Sequence, residues 1–165
     1  MRAPISLEQA IANCPDEHGQ GIFRLFIDSW KKLGHEVKPG IVGVAFRADM
    51  VGTMQSIFCG SREGLQGAFS TLLIKGAPAE AVQKFRLAVS HLEAFETEKL
   101  LKDAQPITKF RSLTHTSVQS LIAASMRWCA LGVGRSGDDW LHILRVITGR
   151  SLSYPPPPRH PSSPT

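Results

Sequence analysis

Few residues in this chain are spaced for chemistry, and they are scattered. Cys14 and His18 stand four apart, flanked by Asp16 and Glu17. One helical turn could fold them into half of a metal site. No second Cys/His pair stands at ligand spacing, so zinc is not expected. His35, His91, His115, His142 and His160 are isolated, and only the fold could assemble a nucleophile–base pair from them. Gly132-Val-Gly-Arg-Ser-Gly137 matches G-x-G-x-x-G letter by letter. The dinucleotide mechanism needs a strand before that loop, and here a helix precedes it. It reads as an interhelical loop in which Arg135 and Ser136 could at most hold a lone anion. The chain contains no G-x-S-x-G and no P-loop. No cofactor is expected.

Charge is the clearer signal. The formal net charge is +5 and it is unevenly spread. Residues 1–103 hold 12 Lys/Arg and 12 Asp/Glu, so they balance. The last 62 residues hold Lys109, Arg111, Arg127, Arg135, Arg145, Arg150 and Arg159 against Asp138 and Asp139. Such asymmetry points to an anionic partner, either nucleic acid or an acidic protein surface. The competing reading is that scattered arginines only solvate helix faces, because no window holds a tight basic run. Lys109, Arg111, Arg127, Arg135, Arg145 and Arg150 are the candidate contacts for an anion or nucleic acid.

The elements that must position these residues begin with an antiparallel meander between Ile41 and Ile74. Val42, Val44 and Phe46 alternate with Gly43, Ala45 and Arg47; Asp49–Gly52 is a turn. Met54, Ser56 and Phe58 alternate with Gln55, Ile57 and Cys59, and Gly60–Gly64 is a second turn. The third run is Leu65–Ile74, whose mixed faces suggest a central or doubly covered strand. Short connections of this kind cannot make parallel crossovers.

Helices flank the meander. Ser6-Leu-Glu-Gln9 is a capping box that starts a short helix at Leu7, ending near Asn13. Ile22, Leu25, Phe26, Trp30 and Leu33 form one face of a helix from about Gly19, with Gly34 as its C′ residue. His35–Lys38 reads as a short extended lead-in. Pro78 suits the first turn of a helix from about Ala79 to Lys102 that carries Glu93, Glu96 and Glu98. A further helix runs from about Thr116 to Leu131, and a last one from Asp139 to Thr148, capped by Asp138 and closed by Gly149. Those two make a poor helix-turn-helix. Their connection is about seven residues against the usual 3–4, and Asp138 and Asp139 would face phosphates. Trp30, Trp128 and Trp140 sit at apolar helical spacing and read as core anchors. From Ser151 onward prolines dominate, and the segment is expected to be extended and disordered.

Length and composition suit a single domain over 1–149 with a disordered proline-rich tail over 150–165. No apolar run approaches the roughly 18 residues of a membrane span. Arg2 is followed by no apolar h-region, so secretion is not indicated. Cys14, Cys59 and Cys129 are odd in number and widely spaced, which fits reduced, cytoplasmic thiols.

The order of helix, "FIDSWKKLGHEVKPG", strand trio, "FRLAVSHLEAF" and "FRSLTHTSVQSLIAASMRW" resembles a family of small uncharacterised bacterial α+β domains over about residues 20–130. The chain departs from that layout in lacking a second glycine-rich turn after Gly40. The resemblance implies the fold, and no activity or catalytic residue.

The expected fold is therefore α+β: a three- or four-stranded antiparallel meander packed on one face by helices. The expected function is a non-enzymatic binding or accessory module for an anionic partner. One rival is a small enzyme with a site assembled across the sheet from His35, Glu36, Arg47 and Arg62, which a pocket of converging ionisable groups would favour. The other is a homo-oligomer held by an exposed apolar face.

Overall fold

The computed structural model describes residues 2–50, 53–92, 94–95, 100, 102 and 105–132. In chain order the elements are α1 (Leu7–Ala12), α2 (Glu17–Lys32), β1 (Glu36–Pro39), β2 (Gly43–Met50), β3 (Thr53–Ser61) and β4 (Gly64–Gly67). They continue with α3 (Phe69–Ile74), α4 (Ala79–Ser90), β5 (Ile107–Thr108), a 3-10 turn (Phe110–Ser112) and α5 (His115–Gly132). Among the described residues the strands form one antiparallel sheet in the order β1-β2-β3-β4-β5. The fold class is α+β.

Register assigns each residue to a face. Val37, Phe46, Phe58 and Gly67 lie in one row across the sheet, and Pro39, Val44, Gly60, Leu65 and Thr108 in the next row on the same face. Strand side chains alternate, so the row Lys38, Ala45, Cys59, Gln66 and Ile107 takes the opposite face. The first face receives α2. Ile22, Phe23, Phe26, Ile27 and Trp30 of that helix are all buried. Phe26 meets Phe46 edge-on at 4.6 Å between centroids and Phe58 at 5.8 Å, an arrangement that places ring edges against ring faces. A bulge between Phe46 and Arg47 breaks the β2–β3 register, and the buried Trp30 Nε1 donates to the Arg47 carbonyl at 3.0 Å. The Arg47 carbonyl beside the bulge and the buried indole N–H thus satisfy each other.

Local signals explain the helix starts. Ser6 Oγ accepts from the Gln9 N–H while the Gln9 side chain accepts from the Ser6 N–H. Asp16, not Gly19, opens α2, its Oδ1 accepting from the Gly19 N–H at 2.7 Å. Gly34 ends the helix at φ 80°, which glycine alone adopts without strain. Thr114 caps α5 by accepting from the Ser117 N–H.

Three expectations need correction. The third strand is only Gly64–Gly67, and the rest of that apolar run is α3, which buries Leu72 and exposes Ile74. The lead-in at His35–Lys38 is a full edge strand paired with β2. The helix from Ala79 ends at Ser90, well short of Lys102. The G-x-G-x-x-G loop beyond Gly132, the 139–148 helix with Trp140, and the 150–165 tail lie outside the described residues. Trp30 and Trp128 are buried, as core anchors should be.

His35 is packed against the α5 side of the core. Its Nε2 lies 2.7 Å from Met126 Sδ and its ring 5.4 Å from Trp30. Burial pulls its pKa below the ordinary imidazole value. In the window between the folded value and about 6.5, the unfolded chain binds the extra proton. This contribution to stability is therefore full above that window and is lost as pH falls through it. Urea titrations are expected to show stability declining as pH falls below about 6.5, with a shallower decline in His35→Gln. An equal slope in that variant would contradict the assignment.

Candidate anion-binding cleft

Two of the sequence-predicted cations, Lys109 and Arg111, meet in one place. They flank Phe110, which is buried and stacks on Phe23 of α2 with centroids 4.3 Å apart and planes 15° apart. With Phe110 pinned inward, its two basic neighbours remain exposed at the surface. His18 Nε2 donates to the Leu113 carbonyl at 2.9 Å and fixes the far end of the same segment to α2. Cys14 is buried, whereas His18 is exposed. No group of three metal-ligating side chains occurs among the described residues.

Lys109 and Arg111 line a cleft of about 840 Å³ together with Arg62, Glu63, Asp16 and Gly19. Arg62 and Glu63 come from the β3–β4 turn, and Asp16 and Gly19 from the N-terminus of α2. Among the described residues, Arg62, Lys109 and Arg111 have no ion-pair or side-chain hydrogen-bond partner. Among the described lining residues these three cations outnumber the two carboxylates, which leaves a net positive concave surface. The first turn of α2 adds its partial positive charge, partly offset by the Asp16 and Glu63 carboxylates.

Gly64 lets these pieces meet. It holds φ 137°, and a Cβ there would sit 2.0 Å from the Thr108 carbonyl oxygen. Only glycine lets β5 pair this closely with β4, and β5 leads directly into Lys109. Gly64→Ala is expected to cost about 2 kcal/mol in urea unfolding. Anion binding should weaken with it, because Lys109 and Arg111 lose their seat. Unchanged stability and binding would refute this role.

The other predicted contacts go elsewhere. Arg127 lies in a groove between α4 and α5 beside Trp128. Arg135, Arg145 and Arg150 lie outside the described residues. Arg62 was absent from the predicted anion contacts; its place in a turn with a glycine at each end was the available signal. The four residues of the cross-sheet enzyme reading are not brought together. Glu36 and Arg47 pair at 2.7 Å, Arg47 also donates to the Met54 carbonyl, His35 faces Met126, and Arg62 lines the cleft.

Cysteine chemistry is muted. Cys14, Cys59 and Cys129 are free, and burial raises the pKa of each thiol, that of Cys129 to about 12. Cys14 lines the cleft as a buried thiol, a poor nucleophile near neutrality. No helix among the described residues is long and apolar enough to cross a membrane. No family model, curated protein or solved structure matches the chain.

Proposed function

We propose that this protein is a binding module for a phosphate-bearing partner, and that Arg62, Lys109 and Arg111 make the contacts. The observation that carries the reading is the convergence on one cleft of three cations, unpartnered among the described residues, from segments more than forty residues apart. Its volume falls in the range of single small-ligand sites, so it takes one nucleotide-sized unit at a time. Single-stranded nucleic acid suits this better than the side of a duplex. Phe95 and Phe110 are both buried in the cleft wall, so recognition runs through the phosphates more than through base stacking. A cytoplasmic setting belongs to the same reading, since all three cysteines are free.

Three phosphate contacts predict that affinity for a short single-stranded oligonucleotide falls about twentyfold between about 50 and about 200 mM salt. Fluorescence anisotropy over that range is the test. Salt-independent binding, or tighter binding to polyglutamate than to the oligonucleotide, would count against the nucleic-acid reading.

The convergence of Asp16 and Glu63 on the same cleft favours a second reading, a small enzyme acting on a phosphate ester. Asp16 already spends one oxygen on the Gly19 N–H, which leaves Glu63 as the better general base. Glu63→Gln should then abolish turnover of a generic phosphate ester and leave binding in place. Absence of turnover in the wild-type protein removes this reading.

A further inference from the structure

A second groove, of about 920 Å³, adjoins the cleft across the β3–β4 turn, since Arg62 and Glu63 line both. Part of its floor consists of small residues on the sheet face opposite α2: Gly43, Ala45, Cys59 and Ser61. The strand register connects the two hollows. Lys38, Ala45, Cys59, Gln66 and Ile107 form one row across all five strands, and none of the five is buried. Lys38 at one end of the row lines the groove, and Ile107 at the other end lines the cleft. Four interstrand steps of about 4.8 Å make that row about 19 Å long. At the roughly 3.4 Å rise of a stacked strand, it accommodates up to about six nucleotides.

The groove also has the chemistry a strand needs on leaving the cleft. Lys38 is exposed and has no ion pair or side-chain hydrogen bond among the described residues, so its ammonium is available to a phosphate. Ile41 and Val42, in the β1–β2 connection, are exposed and give the groove an apolar rim against which a base can lie. Glycine and other small residues on the floor let a ligand approach the sheet closely. Across cleft and groove together, the described lining residues include Lys38, Arg62, Lys109 and Arg111 against Asp16 and Glu63. The whole path is therefore complementary to a polyanion.

Resting on the reading of the cleft as a phosphate site, we propose that a bound single strand continues over the Arg62–Glu63 turn into this groove, with Lys38 as its fourth phosphate contact. Ile41 and Val42 then support the bases that lie beyond the cleft.

Calorimetric titration of the full chain with 5′-phosphorylated oligothymidylates of three and eight residues tests this. The eight-residue strand should bind more tightly and, with four contacts, lose about fiftyfold in affinity between about 50 and about 200 mM salt. Lys38→Gln should return that loss to about twentyfold and leave binding of the three-residue strand unchanged. Val42→Asp, at a position 75% exposed, should weaken only the longer strand. Equal affinity for the two lengths, or variants that affect both lengths alike, would overturn the inference while the cleft reading stands. Failure of both strands to bind would overturn the two together.

Discussion

Glutamate at Arg62, Lys109 and Arg111 together is expected to abolish binding of a single-stranded oligonucleotide. All three side chains are exposed, and reversing them removes no ion pair or side-chain hydrogen bond among the described residues. The described lining of the cleft would then carry five carboxylates, counting Asp16 and Glu63, and would repel phosphate. The control is an equal reversal at Lys31, Lys32 and Lys75, which are also exposed and do not line the cleft. Both triple variants change net charge by the same amount. If binding depended on the overall charge of the molecule, the two would lose it equally. If the cleft is the site, the control keeps most of its affinity and only its long-range steering weakens. Melting temperatures of both should stay near the wild-type value, because exposed charges away from tight pairs move stability little.

Truncating α2 should separate the core from the site. Phe26 is fully buried and touches Trp30, Phe46 and Phe58 through its ring. Phe26→Ala is expected to cost about 3–5 kcal/mol, the usual range for opening an aromatic-sized cavity. Against a total stability of about 5–15 kcal/mol that is a large fraction, so the urea midpoint should drop sharply. Phe23 is equally buried, and it stacks on Phe110, the residue that seats Lys109 and Arg111. Phe23→Ala should cost a similar amount and also weaken oligonucleotide binding at temperatures where the protein remains folded. Phe26→Ala under the same conditions should bind normally. Equal binding losses in both variants would mean that the cleft depends on global stability and not on the Phe23–Phe110 stack.

Much of the fold was legible because strong local patterns agreed with the tertiary outcome. The capping box at Ser6, the apolar face of α2 and the alternation in β2 each met a partner that rewarded it. The stretch from Leu65 to Ile74 was misread because short apolar runs do not distinguish strand from helix by periodicity. Here Gly67 closes the strand, and α3 begins two residues later with only part of its apolar surface inside. The two-residue β5 left no sequence pattern at all; its pairing follows from the space that Gly64 leaves. For the site, charge asymmetry found Lys109 and Arg111 but could not rank them above Arg127. What singles them out is Phe110 between them and its ring contact with Phe23. Arg62 joins them only through the β4–β5 register, a long-range fact that no local window contains.

The most direct test is a nuclear magnetic resonance titration of the full chain with a short single-stranded oligonucleotide at low salt. The expected result is a contiguous set of shifted amides at Gly19, Arg62–Gly64 and Lys109–Ser112, with α4 and the Arg127 turn of α5 unmoved. Shifts centred on Arg127, or no shifts at any ligand concentration, would contradict the cleft as the binding site.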